Sequence, residues 1–463
     1  MNFCGVICEF NPFHNGHLYH LSKIKELYPD HAIVLVMSGN FTERGDVSII
    51  DKWKKTEIAK KAGIDLIVEL PFPFATQSAD YFSYGAITLL EHLKVEKVIF
   101  GSESDNIEDL NLIAETQLNN EDFDKLVKIY SKFGHNYPTA LSLALKDLTG
   151  KIITTPNDLL GISYIKAIKQ NNYKIIPETI KRTSDYHNTS LEEHSSATAI
   201  RNALKENKDI TNFVPDFTKE YLTNLHFIED YFPLLKYKII TEQDLSIYQT
   251  VDEGLDSSLK KHISEVSTYE ELIDKLKSKR YTRNKITRML LHILCGFTKE
   301  KARQFKEITY IRLLGFSEIG QQYLSKIKKE VEDAGLKISG IESVNVCDAI
   351  KVGAANRDEC IDNYIKTLER LGEADIHMVC YNFMPVFDWT RTDLAMPLAD
   401  GSTVLSYDAK HIDGMDPDAM FEKIEKESGG FVMPGWEPNR KDEIKALFEK
   451  YKGMTHEQLL ANY

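Results

Sequence analysis

The chain has 463 residues, of which 42% are apolar and 27% charged, an ordinary globular composition with room for about three domains. No apolar run approaches the ~18 residues of a membrane span, so we expect none. The N-terminus lacks a basic segment and carries Glu9 where a secretory signal would stay apolar. The six cysteines are scattered without a Cys-x-x-Cys pair, which indicates reduced thiols in a cytoplasm and excludes a zinc ribbon.

The net charge of −13 is unevenly distributed along the chain. Residues 331–463 hold 25 acidic and 14 basic side chains, whereas residues 1–330 hold 45 and 43. The first 330 residues are therefore nearly neutral, so a local basic patch on them could bind phosphates. The asymmetry indicates that the two parts have different origins.

The first hundred residues alternate between predicted strands and helices. The strands are Phe3–Cys8, Ala32–Met37, Leu66–Glu69 and Lys97–Phe100, and the helices are His17–Leu27, Trp53–Ala62 and Tyr84–Leu93. Continuous apolar strands in this order predict an α/β fold with a parallel sheet that is covered on both faces. Ligands of such sheets bind beyond the carboxyl ends of the strands.

The remainder of the chain is mostly helical in pattern. Residues 105–170 and 196–345 show helical periodicity, and two short strands are predicted between them, at Tyr173–Ile176 and Thr179–Lys181. After Gly335 the pattern returns to strand, helix and strand, at Lys337–Val346, Arg357–Leu371 and Ile376–Asn382.

The strongest local signal is the segment from Glu9 to His17, EFNPFHNGH, which follows the first strand and opens the first helix. Gly16 allows close approach of a ligand, and a helix N-terminus attracts anions. His14 and His17 can both donate to a triphosphate whose oxygens gain charge as the α–β bond breaks. We therefore predict a nucleotide site with these two histidines as catalytic donors. The alternative interpretation is that His14 and His17 are surface histidines near a helix cap. His20, one turn after His17, either joins them in the site or has a structural role.

Further candidates lie at other predicted strand ends. Gly101 permits close approach of an adenine or ribose, and Arg182 ends a later strand. Asn157 is either a ligand or only a helix cap, and Arg44 belongs either to a phosphate-binding loop or to an ordinary salt bridge. A second anion site is predicted at the helix start formed by Ser196, Thr198 and Arg201.

These segments resemble a family. An HxGH motif followed by SSATAIR is the signature of the HIGH-type nucleotidyltransferase superfamily. The ordered set EFNPFHNGH, MSGNFTERG, DKWKKTEIA, GIDLIVELP, FGSE and SSATAIR is more specific and resembles the tRNA(Met) cytidine acetate ligase family over residues 1–330.

The resemblance implies a Rossmann-like catalytic domain at residues 1–205 and a mostly helical tRNA-binding domain at residues 206–330. It implies activation of acetate by ATP to acetyl-adenylate and pyrophosphate, then acetylation of N4 of the wobble cytidine of elongator tRNA(Met) with release of AMP. Mg²⁺ is expected on the ATP, with no metal site on the protein and no DNA partner. The implied ATP contacts are Ile7, Cys8, Glu9, Phe10, Asn11, Pro12, Phe13, His14, Asn15, Gly16, His17, Leu18, Tyr19, His20, Gly101, Asn157 and Arg182.

A basic stretch at residues 275–288, KLKSKRYTRNKITR, is the candidate RNA contact. Cations neutralise phosphates, and Tyr281 within the stretch could stack on an unpaired base. A solvated helix face is the alternative. The predicted RNA-binding residues are Lys277, Lys279, Arg280, Arg283 and Arg288.

Residues 331–463 resemble a different family. The strings GLKISGIESV and YNFMPVFDWTRTDL are similar to mannonate dehydratase, a TIM-barrel metalloenzyme. About 130 residues supply only a few of the eight βα units of a barrel. We therefore expect a partial TIM-barrel-like fragment without the family's metal ligands and without activity, joined to the first part within or near Gln321–Ala334.

Three other functions are weighed against the acetate ligase. An adenylyltransferase for a small phosphorylated metabolite would need neither the basic stretch nor the helical domain. A non-catalytic RNA-binding protein would not need the intact HNGH motif, and a sugar-acid dehydratase would need a complete barrel.

Overall fold

The computed structural model describes residues 2–135, 137–182, 196–252, 254–278 and 281–333, together with short stretches beyond them, of which 357–373 is the longest. The chain divides into two compact units, residues 1–329 and 330–463. The finer division of the first unit near residue 205 stays a prediction.

A six-stranded sheet organises the first unit, with the strand order β5-β4-β1-β2-β3-β6. Neighbouring strands among the first five are parallel, and β6 runs antiparallel to β3. The carboxyl ends of the parallel strands therefore lie along one edge of the sheet. The strands are β1 (Asn2–Cys8), β2 (His31–Ser38), β3 (Leu66–Leu70), β4 (Lys97–Ser102), β5 (Ile176–Lys181) and β6 (Arg312–Phe316).

Helices follow the strands and cover the sheet on both faces, as the sequence predicts. Successive side chains of β2 alternate between two apolar clusters, with Val34 and Val36 in one and Ile33 and Leu35 in the other. The helices of this part are α1 (Asn15–Leu27), α2 (Lys52–Lys61), α3 (Phe72–Ala75), α4 (Ala79–His92), α5 (Ile107–Asn119), α6 (Glu121–Lys132), α7 (Tyr137–Thr149), α8 (Pro156–Gln170), α9 (Ala197–Lys205) and α10 (Asp216–Lys219).

A third apolar cluster lies in a helical segment between α10 and β6. Its elements are α11 (Phe232–Thr241), α12 (Leu255–His262), α13 (Tyr269–Leu276), α14 (Arg283–Leu294), α15 (Lys299–Gln304) and three short 3-10 helices at Ile228–Tyr231, Leu245–Ile247 and Ile263–Glu265. Across the part of the chain that is described, no helix is both long and apolar enough to cross a membrane.

Two strands of this sheet differ from the sequence prediction. The two strands predicted at Tyr173–Ile176 and Thr179–Lys181 are one strand, β5, because residues 173–175 precede the pairing with β4. The strand β6 was not predicted, since residues 196–345 carry helical periodicity. It is a five-residue edge strand with only partly buried side chains, and Gly315 interrupts its apolar pattern. The region predicted to be entirely helical thus contributes β6, the edge strand next to β3, to the sheet.

The second unit is described only in part. Helix α16 (Glu318–Asp333) spans the division between the units, and Tyr323 on it stacks on Phe3 at 3.5 Å between ring centroids. Beyond it, β7 (Ile341–Glu342) pairs in parallel with β8 (Val379–Cys380), with α17 (Arg357–Glu373) between them. This is the predicted strand–helix–strand order. Strands β9 (Asp393–Pro397) and β10 (Thr403–Ser406) are antiparallel.

His292 connects the helical segment with the sheet-based part. It is fully buried on α14, with Nε2 3.0 Å from the carbonyl oxygen of Thr76 and Nδ1 3.2 Å from that of Gln249. Burial lowers the pKa of His292 to about 4, so the ring is neutral at pH 7. Hydroxyl oxygens of Thr76 and Thr250 lie 3.2 and 3.0 Å from the two ring nitrogens.

We expect His292 to make the protein sensitive to acid. Its folded pKa lies below the unfolded value near 6.5, so the unfolded chain binds more protons between pH 6.5 and 4. As the pH falls from 6.5 to 4, the free energy of unfolding should therefore decrease, by up to about 3 kcal/mol from this residue. When midpoints of urea unfolding are measured from pH 7 to 4 and plotted against pH, the slope should be shallower for His292→Gln than for the wild type. The matched control is the exposed His226, because His226→Gln should leave the slope unchanged.

Candidate functional site

A cavity of about 280 Å³ opens at the carboxyl edge of the parallel strands. Its walls come from the loop between β1 and α1, the loop of residues 42–46, the ends of β4 and β5, and the beginnings of α8 and α9. The site thus lies where the parallel sheet predicts it.

His14 and His17 cap helix α1 reciprocally. The Nδ1 of His14 accepts the backbone N–H of Gly16 at 3.1 Å, and the Nδ1 of His17 accepts the backbone N–H of His14 at 3.2 Å. A neutral imidazole that accepts at Nδ1 carries its proton on Nε2. The two rings are 3.8 Å apart between centroids and line the cavity. The backbone therefore fixes both tautomers and leaves Nε2–H as the donating group of each ring.

Burial and the nearby Arg182 disfavour protonation of His17 and His20. The pKa of His17 lies well below its usual value because the ring is desolvated and because His14 and Arg182 are near. Burial likewise lowers the pKa of His20 to about 4, and its Nε2 lies 3.4 Å from the carbonyl oxygen of Ile99 in β4. His17 and His20 are thus neutral donors at pH 7.

Two phenylalanines fix the loop that carries the histidines. Phe10 and Phe13 are buried, and both rings pack against His17, at 4.9 and 5.5 Å between centroids. Phe10 adopts a left-handed backbone conformation (φ 47°), which is uncommon for a bulky residue and is held here by its burial. The aromatic residues between the first strand and the HxGH motif therefore position the histidine rings.

Lys55 on α2 joins the carboxyl ends of β1 and β2. Its ammonium group is fully buried and donates to the carbonyl oxygens of Gly39 (2.6 Å), Ser38 (2.7 Å) and Glu9 (3.0 Å). Burial lowers the pKa of Lys55 to about 8, although Glu9 and Glu69 act in the opposite direction. All three N–H groups have a main-chain acceptor, so this cation is structural and fixes the starts of two site loops.

The loop of residues 42–46 is held against helix α14. Arg288 donates to the carboxylate of Glu43 at 2.6 Å, and the hydroxyl of Thr287 donates to the carbonyl oxygen of Arg44. Gly45 has a positive φ of 77° and lies against the backbone of α14 with no room for a side chain. The backbone N–H of Glu43 also donates to the Glu9 carboxylate at 2.7 Å. The helical segment therefore positions one wall of the cavity.

Carboxylates join the end of β4 to the beginning of α8. Asp158 is buried and accepts from Ser102 Oγ at 2.5 Å and from Thr155 Oγ1 at 2.8 Å. Glu103 accepts from Asn157 Nδ2 at 2.5 Å and lies 3.7 Å from Arg182 Nε. That Nε is buried and has no hydrogen-bond partner among the described residues. An unsatisfied guanidinium donor at the cavity wall favours an anionic ligand.

Helix α9 provides the second predicted anion site. Ser196 caps the helix by accepting from the backbone N–H of Ala199, and Arg201 extends from its first turns. The guanidinium group of Arg201 donates to the carbonyl oxygen of Asn11 at 2.9 Å and to Thr198 Oγ1 at 3.3 Å. The β1–α1 loop and the α9 N-terminus are therefore directly linked.

Most of the predicted ATP-binding residues line this cavity. Pro12, Phe13, Asn15 and Leu18 do not: Phe13 is core, Leu18 is exposed, and Asn15 donates through Nδ2 to the carbonyl oxygen of Asn212 at 2.9 Å. The residues that do line it are Ile7, Cys8, Glu9, Phe10, Asn11, His14, Gly16, His17, Tyr19, His20, Gly101, Asn157, Arg182, Ser196, Thr198 and Arg201.

Several lining residues were not among the predicted site residues. Tyr164 is a buried aromatic on α8, and nothing in its sequence context separates it from a core residue. The 42–46 loop did carry a signal, because it follows a buried strand and contains an arginine. The lining residues in this loop are Thr42, Glu43, Arg44 and Asp46.

The predicted RNA-binding stretch is largely neutralised where it is described. Arg283 forms a two-bond ion pair with Glu270 (2.5 and 2.7 Å), and Arg288 is the cation that binds Glu43. Tyr281 is 9% exposed and belongs to the apolar cluster of the helical segment, so its ring presents little surface to an unpaired base. Lys277 is exposed, and Lys279 and Arg280 lie outside the described residues.

The two cysteines of β1 are not reactive thiols. Burial raises the pKa of both Cys4 and Cys8 to about 12, so neither is a thiolate at neutral pH. Within the described parts of the chain, no group of three or more His, Cys, Asp or Glu side chains could hold a metal ion.

Removing the ammonium of Lys55 should destabilise the first unit. Lys55→Met would leave three buried carbonyl oxygens without their donor, and each such loss costs about 1–3 kcal/mol. We expect a net loss of roughly 3 kcal/mol in urea unfolding, smaller than the sum because a buried charge is also removed. Lys60→Met is the control, since Lys60 lies on the same helix in an exposed pair with Glu57. Equal stability of the two variants would contradict the role given to Lys55.

Comparisons with known proteins agree with this geometry. Residues 1–345 match the HIGH Nucleotidyl Transferase family, and residues 318–463 match the D-mannonate dehydratase (UxuA) family. The two matches overlap around the predicted join.

Relatives and solved structures cover most of the chain. A tRNA(Met) cytidine acetate ligase from Geobacillus sp. (strain WCH70) is 41% identical, over 72% of this chain and 87% of that protein. One from Caldicellulosiruptor saccharolyticus is also 41% identical, over 72% and 86%. The structures of Thermotoga maritima TmcAL, apo and bound with alpha-thio ATP, superpose with TM-scores of 0.68 and 0.67 at 30% and 29% identity, over 82% of this chain and 100% of theirs. The chain therefore belongs to the HIGH nucleotidyltransferase family and, within it, to the tRNA(Met) cytidine acetate ligases.

Proposed function

We propose that this protein activates acetate with ATP and transfers the acetyl group to N4 of the wobble cytidine of elongator tRNA(Met). The observation that carries the proposal is the pair of histidines whose Nδ1 atoms are engaged by the backbone of one helix N-terminus. The family relationship supplies the reaction, and the cavity supplies donors suited to its first step. Because the substrate is a tRNA, we expect the reaction to occur in the cytoplasm.

The first step is attack of an acetate oxygen on the α-phosphorus of ATP, with pyrophosphate as the leaving group. It requires positioning and charge stabilisation rather than a covalent nucleophile. His14 and His17 would donate through Nε2 to oxygens that gain charge as the α–β bond breaks. The α1 and α9 N-termini, Arg182 and Arg201 would offset the remaining phosphate charge. Mg²⁺ is proposed to arrive bound to the ATP and to shield its phosphates.

The second step is attack of the cytidine N4 amine on the acetyl carbonyl carbon. The new C–N bond forms as the bond to AMP breaks, and one proton leaves the amine. Because the purified chain must perform both steps, the direct test supplies ATP, labelled acetate and tRNA and measures acetylated tRNA. Absence of labelled tRNA together with absent acetate-dependent pyrophosphate exchange would contradict the proposal.

The alternative is an adenylyltransferase for a small phosphorylated metabolite. Its substrate would carry a phosphate, whereas the activation step proposed here uses a plain carboxylate. Acetate-dependent exchange of pyrophosphate into ATP, measured without any phosphorylated acceptor, distinguishes the two.

The histidines should be needed for acetate activation. Loss of a transition-state donor costs about 100–1000-fold, by analogy with oxyanion-hole donors, so His14→Ala and His17→Ala should lose acetate-dependent exchange to this extent. His14→Asn separates donation from capping, because its side-chain oxygen can still accept the Gly16 N–H while its reach into the cavity is shorter. It should fold like the wild type and remain impaired. Unchanged pyrophosphate release from both alanine variants would rule out the assignment.

The dehydratase-like unit should be dispensable for acetate activation. Every described residue that lines the cavity precedes residue 202, and both Phe3 and Tyr323, whose rings stack, are kept by truncation after Lys329. We therefore expect the truncated chain to keep acetate-dependent exchange within about twofold and the full chain to show no mannonate dehydration, since a barrel needs eight βα units. Loss of acetate-dependent exchange would contradict this prediction if the circular dichroism spectrum shows that the truncated chain is still folded.

A further inference from the structure

Two exposed aromatic side chains are each paired with a cation outside the cavity. Lys52 Nζ lies 5.3 Å from the ring centroid of Trp53, and the guanidinium carbon of Arg312 lies 5.9 Å from that of Tyr310. Trp53 is 44% exposed and Tyr310 is 46% exposed. Both rings therefore have open surface that a ligand can contact.

A single carboxylate links the two pairs. Glu69 Oε2 lies 2.7 Å from Lys52 Nζ and 3.4 Å from Arg312 Nη1. The link follows from the sheet, because Glu69 of β3 is directly opposite Arg312 at the start of the antiparallel β6. Of the two cations, Arg312 is the one open to a phosphate, because its side chain is 54% exposed and that of Lys52 only 14%.

This surface lies at the same edge of the sheet as the ATP cavity. Glu69 is near the carboxyl end of β3, and its side chain lies against Gly39, at the start of the loop that leads to the cavity wall. The backbone N–H of Lys52 donates to Asn40 Oδ1 in the same loop at 2.9 Å. The loop of residues 39–46 therefore connects the aromatic pairs with the cavity wall.

We propose that Trp53 and Tyr310, with Lys52 and Arg312, form an aromatic platform that binds unpaired bases of the RNA substrate. The inference rests on the proposed function. Single-stranded bases stack on exposed aromatic rings in any sequence, and adjacent cations neutralise the phosphates between them. The platform combines both groups beside the site where the acetyl group would be formed. In the basic stretch around α14, Arg283 and Arg288 each have a carboxylate of their own and Tyr281 is buried, whereas Arg312 is 54% exposed and shares Glu69 with Lys52.

The test compares RNA affinity with acetate activation in the same full-length variants. Trp53→Ala and Tyr310→Ala should each weaken binding of an elongator tRNA(Met) transcript about tenfold, since stacking of one base contributes about that much. Trp53→Phe and Tyr310→Phe, which keep a stacking ring, should stay within about threefold of the wild type. Acetate-dependent pyrophosphate exchange without RNA reports whether the ATP site and the fold remain intact.

A matched control comes from α11, where Tyr237 is 69% exposed with no part in the platform. Tyr237→Ala should bind the transcript as the wild type does. The exposed guanidinium of Arg312 should contribute one phosphate contact, so Arg312→Ala should reduce the slope of log affinity against log salt by about 1. An anticodon stem-loop should respond to the ring variants, whereas a blunt RNA duplex should not, because its bases are already paired.

Unchanged affinity of both alanine variants for the stem-loop would overturn the platform. Equal weakening for the duplex would overturn it too, because the surface would then act by charge alone. A change of sedimentation coefficient on ring removal would assign the surface to a second copy of the chain instead. Failure of the proposed function is a separate result: the wild type would not acetylate tRNA, whatever the ring variants bind.

Discussion

One buried ammonium group holds the site together. The three hydrogen bonds of Lys55 join the main chain after β1 to the main chain after β2, where two parallel strands would otherwise diverge into independent loops. The Glu9 carboxylate makes a second connection across the same gap, to Ser38 and to the backbone of Glu43. Loop positions that define a nucleotide cavity are thus fixed by main-chain contacts, which a change of neighbouring surface side chains would not disturb.

The helical segment supports one wall of the candidate site. Helix α14 supports the 42–46 loop through Thr287 and Arg288, and His292 on the same helix reaches the segment that follows α3. The description of residues 206–330 as a separate RNA-binding module therefore misses a second role. Arg288 lies in a basic run that is typical of phosphate contacts, but here it supports the cavity wall by binding Glu43.

The features of the structure that could be predicted from the sequence are those determined by residues close together in the chain. Continuous apolar strands predict the buried parallel sheet, and the HxGH motif after the first strand predicts the position of the histidines. The reciprocal capping of His14 and His17 depends on the backbone conformation of the loop, which the sequence motif alone does not specify. The strand β6 depends on a long-range pairing with β3, and its five residues carry no clear alternation. Ion pairs such as Arg283–Glu270 join residues whose charges only the fold brings together.

The antiparallel pairing of β6 with β3 has a consequence for folding during synthesis. The two strands are separated by the whole helical segment, so the β3 edge of the sheet has no partner until residue 316 has left the ribosome. At about 5–20 residues per second, this delay lasts roughly 10–50 s. During that time an apolar strand with free backbone groups is available to other nascent chains. The order of segments therefore makes the nascent protein dependent on protection of one sheet edge, a requirement that the finished molecule no longer has.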